Sequence, residues 1–386
     1  MRSVLCCLVL ALTNLGLSAC DSGGDGDGDA DGDGDADGDT DGDMDADSDA
    51  DSDTDIDTDA DTETDTDPDT ETDADTDADT DTDTDTVAGR PFSPDSPYNT
   101  PIAADPVLDS NADRLALLRN GRVTYSLYYW STRIYEVDGT AERRIPVTCT
   151  ESWGTCELED EPGGGPIPAG AVGAPEDDGH MVVWDIVNGI SYEFWRYRYP
   201  GGAAAEGETS WGGLVSTTGN GVDDPSGRLG AGGATGADLS LLAGTIRVFE
   251  VEAGVIPHAL VGSTTNSCSS FRWPALKSDG WSDRADCLPE GARIQLDPSI
   301  DLDTVTGMRP IDRMIAEALQ TYGWYNRDNG GSFDGSSTSW TIMFEVDPTA
   351  TGDSCGSGNP LGDAYCNAGV SGEYDALRGT LPDGSP

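Results

Sequence analysis

The run His180-Met181-Val182-Val183-Trp184-Asp185-Ile186-Val187-Asn188-Gly189-Ile190-Ser191-Tyr192-Glu193-Phe194-Trp195-Arg196-Tyr197 sets how the body of the chain is read. Two stretches rich in β-branched and aromatic residues meet at Asn188-Gly189. That dipeptide is a strong hairpin signal, because both central residues of a type I′ turn need positive φ. A two-residue turn predicts that Val187 faces Ile190, Asp185 faces Tyr192, Trp184 faces Glu193, Val182 faces Trp195 and His180 faces Tyr197. Alternation across the pleat then gathers His180, Val182, Trp184, Glu193, Trp195 and Tyr197 on one surface. Met181, Val183, Asp185, Val187, Ile190, Phe194 and Arg196 fall on the other.

Segments of similar composition, bounded by Gly, Pro, Asn or Asp, recur at residues 123–130, 133–137, 145–150, 245–251, 256–261, 292–297 and 340–346 and predict further strands. Helical patterns are few. Asp109-Ser110-Asn111, followed by Leu115, Leu118 and Gly121, reads as a short capped helix. Residues 310–322 begin with Pro310, align Ile311, Ile315, Leu319 and Tyr322 on one face, and stop at Gly323. Residues 201–240 and 347–386 read mostly as loop. The expectation is one mostly β domain over residues 87–386: a β-sandwich or jelly roll with one or two short helices and long Gly-rich loops.

An aromatic surface that also carries a carboxylate suits carbohydrate, since sugar C–H faces rest on flat rings while hydroxyls bond to charged and amide groups. The candidate ligand-binding residues are therefore Trp184, Glu193 and Trp195. Trp211, followed by Gly212-Gly213, extends the platform, with small residues leaving room for a ligand. The competing reading puts these rings between two sheets, with Glu193 paired to an arginine. The chain has two histidines, His180 and His258, and they are the candidates for a base near pH 7. Either one, with Tyr197 or Tyr192, could move protons at a uronic acid whose carboxylate is neutralised by Arg196 or Arg293. His258 shares a predicted strand face with Ile256 and Leu260, which equally suits a buried structural histidine. Glu193 and Asp185 point to opposite faces, which argues against them as a hydrolase couple. No P-loop, HExxH or GxSxG motif occurs.

The 386 residues include 74 Asp or Glu against 20 Lys or Arg, a formal charge of −54 that excludes nucleic acid as a partner. Residues 21–86 hold 32 of the acids and no base, and every odd-numbered residue from Asp25 to Asp85 is acidic. Like charges on one side and almost nothing to bury on the other predict a disordered, extended linker over residues 20–86. Its contour could reach roughly 200 Å at about 3.3 Å per residue. Asp27-Gly28-Asp29-Ala30-Asp31-Gly32 matches the first half of an EF-hand loop, but position twelve is Gly38 where a bidentate Glu is needed. No metal site or cofactor is expected beyond weak divalent-cation association with the tract.

Residues 1–19 have the charged start, short apolar run and small-residue end of a secretory signal peptide. Of nine cysteines, Cys6 and Cys7 fall in that segment, Cys20 follows it, and six lie in the body. Their close spacing favours three local disulfides, Cys149 with Cys156, Cys268 with Cys287, and Cys355 with Cys366, in an exported domain. With no CxxC and distant histidines, Cys-ligated zinc is disfavoured.

Leu17-Ser18-Ala19-Cys20 resembles the lipobox of bacterial lipoproteins. That resemblance implies cleavage before Cys20 and lipidation of Cys20, tethering the chain to a lipid bilayer at about 0.8 kcal/mol per buried methylene. Tyr192-Glu193-Phe194-Trp195, the His258 strand, residues 288–297 and residues 322–331 resemble a group of uncharacterised secreted bacterial proteins over roughly residues 92–346, which implies no activity. The expectation is a protein of the bacterial cell envelope, lipid-anchored and extracytoplasmic, at the cell surface or in the periplasm. Its β domain binds polysaccharide or an envelope glycan, and any cleavage would be polysaccharide lyase-like or glycoside hydrolase-like. The alternative is a non-catalytic structural or adhesion module.

Overall fold

The computed structural model describes residues 89–119, 121–127, 129–153, 155–198, 206–222, 232–331, 339–346, 364–365, 367–370 and 374–382, and the backbone of residues 6–10. The acidic tract, Cys20, Cys355 and Cys366 lie outside the described residues.

Met181–Asp185 and Ile190–Trp195 pair antiparallel as a hairpin at the centre of a five-stranded sheet. The order is Glu345–Val346, Thr132–Val137, Met181–Asp185, Ile190–Trp195, Trp211–Ser216. The register differs from the expected one by two positions: Asp185 pairs with Ile190, Val183 with Tyr192 and Val182 with Glu193. Asp185 is the cause. Its fully buried carboxylate accepts from the amides of Gly139 (3.2 Å), Val187 (3.2 Å) and Asn188 (3.0 Å) and from Nδ2 of Asn188 (2.7 Å). Residues 186–189 thereby become a four-residue loop with Gly189 at φ 65°. An aspartate that can satisfy its own turn amides outcompetes the two-residue turn. Because the shift is even, every side chain keeps its predicted face as far as Trp195.

Both faces are covered. Met181, Val183, Ile190, Tyr192 and Phe194 join one core cluster with Leu158 and Leu214. On the opposite face Val182 and Trp184 pack with Ile134, Leu241 and Leu242.

A second sheet has eight strands among the described residues, in the order Tyr374–Ala376, Arg122–Ser126, Ser339–Ile342, Leu260–Thr264, Trp324–Asn329, Arg293–Leu296, Cys6–Leu10, Val107–Leu108. The helix Pro310–Thr321 packs on it through Ile311, Ile315 and Leu319, in one cluster with Leu260, Ile294 and Trp324. Each such buried side chain contributes roughly 1.5–3 kcal/mol. Its start is fixed by Pro310 and by Asp312 accepting from the Arg309 amide (2.9 Å), and the chain leaves through Gly323 at φ 74°. The helix Ala112–Arg119 is capped by Asn111 Oδ1, which accepts from the Arg114 amide (3.0 Å).

The fold is therefore strand-rich and sandwich-like, with four short helices among the described residues. Val248–Ala253 is one of them, where residues 245–251 were expected to be a strand. Glu250 accepts from the Arg247 amide (2.8 Å) and Gly254 closes the helix at φ 75°, so caps outweigh the β-branched composition. Gly207–Thr209 and Trp211–Ser216 are strands within the stretch expected as loop. The chain passes directly from Ser339–Ile342 in the larger sheet to Glu345–Val346 in the smaller. Disulfides Cys149–Cys156 and Cys268–Cys287 are formed.

Candidate functional site

Where strand ends of the two sheets converge, a cleft of about 780 Å³ opens. The larger sheet contributes Ser263, Arg327, Asp328 and Thr341, and the smaller contributes Trp195 and Trp211 from neighbouring strands. His180, Trp130, Trp153, Asp178, Lys277 and Asp279 complete its polar and aromatic walls.

Trp153 packs against two other indoles. Trp153 stacks on Trp195 with ring centroids 5.7 Å apart and leans on Trp211 at 5.9 Å, contacts worth about 0.5–1.5 kcal/mol each. Trp195 is also held by its Nε1, which donates to Asp178 Oδ1 (3.0 Å), and the Arg196 guanidinium lies over its ring at 4.1 Å. Trp195 thus acts as the support, and the exposed ring surface of the cleft belongs to Trp153 and Trp130, which are 65% and 48% exposed. Trp153 sits in the loop closed by Cys149 and Cys156, whose disulfide limits where that ring can go.

The polar wall carries unusual ionisation. His180 is 8% exposed, and none of the hydrogen bonds among the described residues involves its ring. Burial drives its pKa down to about 4, against the Asp178 charge and with the Arg327 charge, so the imidazole is neutral at pH 7. Burial and then the negative charge of Asp279 push the Asp328 carboxyl up to about 7, although Arg327 and the amides of Asn329 and Gly236 favour its ionised form. Behind them Glu290 is pushed up to about 9, first by burial and then by the adjoining Asp279 carboxyl. Lys277 Nζ lies 2.6 Å from Asp238 Oδ1 and 5.9 Å from the Trp211 ring.

The expected site residues separate. Trp195, Trp211 and His180 line the cleft together. Trp184 is 7% exposed, its Nε1 donating to Thr217 Oγ1 (3.0 Å), and it belongs to the core rather than to a ligand platform. Glu193 has no exposed surface; it accepts from the amides of Leu241 (2.6 Å) and Ala234 (3.3 Å) and from the hydroxyls of Ser191 (3.0 Å) and Ser240. Burial raises its pKa while those bonds oppose the shift. Arg327 Nη1 donates to the Leu241 carbonyl (3.2 Å), so Glu193 and Arg327 clamp the same segment from its amides and its carbonyls. Gly212 and Gly213 leave no room for a ligand. A Cβ on Gly212 would lie 2.2 Å from Leu158 Cδ1, and one on Gly213 would lie 2.1 Å from the Gly232 carbonyl oxygen.

Arg196 at φ 60° breaks the strand alternation and turns Tyr197 into the core, edge-on to Phe194 at 5.1 Å. His258 precedes its strand and lines a separate small cavity. Its Nε2 faces Glu250 (3.1 Å) and its Nδ1 faces the Ala259 carbonyl (3.0 Å). Burial lowers its pKa, but the Glu250 charge and hydrogen bond outweigh that and leave it raised. Arg293 is spent on the Tyr322 and Thr100 carbonyls (2.6 and 2.7 Å). His258, Tyr197 and Arg293 are therefore not assembled with His180 as a lyase-like centre.

Sequence reasoning missed Trp130, Trp153, Lys277, Asp279, Glu290 and Asp328. Glu290 and Asp328 lie within the 288–297 and 322–331 stretches already singled out, and Trp153 is the aromatic residue inside a short Cys-to-Cys loop. Among the described residues no group of three His, Cys, Asp or Glu side chains is arranged to hold a metal ion. No protein-family model, curated protein or solved structure matches this chain.

Proposed function

We propose that this is a lipid-anchored envelope protein, tethered through Cys20 and the acidic linker, whose β domain binds polysaccharide in the tryptophan-lined cleft. The observation that carries the reading is the Trp153 indole, exposed yet stacked on Trp195 and tilted against Trp211, all three lining the cleft. Water-exposed indole costs free energy, and a disulfide-closed loop that holds one in place beside polar groups suits a sugar face. Neutral His180, Asp178 and Lys277 supply donors and acceptors for hydroxyls. The net charge of −23 on residues 87–386 favours neutral glycans over polyuronates. Glycan-array binding by the full chain, followed by titration of the best ligand, tests this. Wild type should bind and Trp153→Ala should lose at least tenfold in affinity; equal affinity in the variant would remove the basis of the proposal. For the tether, metabolic labelling with a fatty-acid analogue should mark the wild-type chain and spare Cys20→Ser.

A further inference from the structure

The acidic wall of the cleft has an arrangement that simple binding does not require. Gly236 stands between two carboxyl groups. Its amide favours the ionised form of Asp328, and its α-carbon is so close to Asp279 that a Cβ there would fall 2.3 Å from Oδ1. Both carboxyls line the cleft, with Asp279 exposed and Asp328 half-buried at the end of Trp324–Asn329. Glu290, fully buried, backs Asp279 from the protein side. On the same wall His180 is more than nine-tenths buried, with its ring in no hydrogen bond among the described residues, a polar group whose partner would be a ligand.

We propose that Asp328 and Asp279 are the general acid and general base of a glycosidic-bond hydrolase acting on a neutral polysaccharide seated against Trp153 and Trp130. This rests on the glycan-binding reading above and adds a reaction to it. In the step, the Asp328 carboxylic acid gives its proton to the glycosidic oxygen as the bond from that oxygen to the anomeric carbon breaks. Water forms the new bond to the anomeric carbon, and its proton passes to the Asp279 carboxylate. The products are two sugar chains, one with a new reducing end, and proton exchange with solvent restores both carboxyls. An Asp328 carboxyl pushed up to about 7 keeps a large protonated fraction at neutral pH, as an acid catalyst must. Glu290, buried behind Asp279 and with its pKa pushed up to about 9, stays protonated at neutral pH and so adds no second negative charge beside it. His180, neutral, meets a sugar hydroxyl.

The full chain is incubated with a soluble β-glucan, an arabinoxylan and polygalacturonate, with reducing ends and glycan binding measured in parallel. Wild type should release reducing ends from a neutral polymer it binds. Asp328→Asn and Asp279→Asn should each lower the rate at least about 100-fold, within the range for loss of an acid or base, while binding stays within about threefold. Gly236→Ala, which displaces the Asp279 carboxyl, should lower the rate without changing the melting temperature. The rate should decline as pH rises through about 7 in wild type. Binding without release of reducing ends, or wild-type turnover by Asp328→Asn, overturns the catalytic proposal and leaves the binding site intact. Absence of binding to any glycan overturns both.

Discussion

Trp184 and Trp195 stand on one face of the same hairpin, in adjacent strands, and meet opposite fates. Trp184 lies mid-sheet beneath Leu241 and Leu242, where the segment clamped by Glu193 and Arg327 seals it. Trp195 ends its strand at the other end of the hairpin, packs only in part against the same cluster, and opens with Trp153 and Trp211 on the cleft. Period-two alternation selects a face. Which end of the hairpin a residue occupies, and whether a segment 40 to 50 residues distant crosses over it, decides whether that face meets core or solvent.

The strongest way to break this contrast is at the sealed end. Glu193→Ala would strand the amides of Ala234 and Leu241 and the Ser240 hydroxyl, a loss of about 3 kcal/mol or more. Trp184→Ala would cost about 3–5 kcal/mol through the cavity it leaves. Both should appear as lowered urea midpoints. A Trp184→Ala chain as stable as wild type would show that the ring is not core. At the open end Trp153→Ala should leave the urea midpoint unchanged while weakening glycan binding at least tenfold, the reverse signature.

A smaller effect concerns pH. The folded pKa values of Glu290 and Asp328 are raised to about 9 and about 7, above their unfolded values. The stability they contribute is therefore complete at acid pH and lost as pH rises through those values. His180, lowered to about 4, acts oppositely: its contribution is complete above about 6.5 and is lost as pH falls toward 4. With two raised carboxyls against one lowered histidine, the melting temperature should fall as pH rises from about 4 toward 9. Glu290→Gln should flatten the alkaline limb by about 3 °C or more, given roughly 2–4 °C per kcal/mol for a domain of this size. An unchanged limb would mean that Glu290 does not hold its proton.

Much of the architecture was legible because local signals and tertiary structure agree. The Asn111 cap, the Pro310-to-Gly323 helix and the hairpin strands each follow from a few residues whose demands are met within their own neighbourhood. The misreadings arise where a remote partner or a competing cap intervenes. Asp185 rewrote the turn, Glu250 turned a β-branched run into a helix, and Gly212-Gly213 read as loop although close approach by Leu158 and the Gly232 carbonyl requires glycine in that strand. The site was half legible for the same reason. Trp195 and Trp211 follow from the hairpin and its neighbour, whereas Trp153, Asp279 and Asp328 come from separate parts of the chain that only the fold brings together. The single-residue flip at Arg196, which removes Tyr197 from the cleft face, has no local signature in the sequence.

The most direct test of the central claim is a tryptophan-fluorescence titration of the full chain with a neutral polysaccharide, comparing wild type, Trp153→Ala and Trp184→Phe. The account predicts a saturable spectral change in wild type, its loss in Trp153→Ala with an unchanged urea midpoint, and its retention in Trp184→Phe. Saturable binding that survives in Trp153→Ala but disappears in a folded Trp184→Phe chain would contradict it.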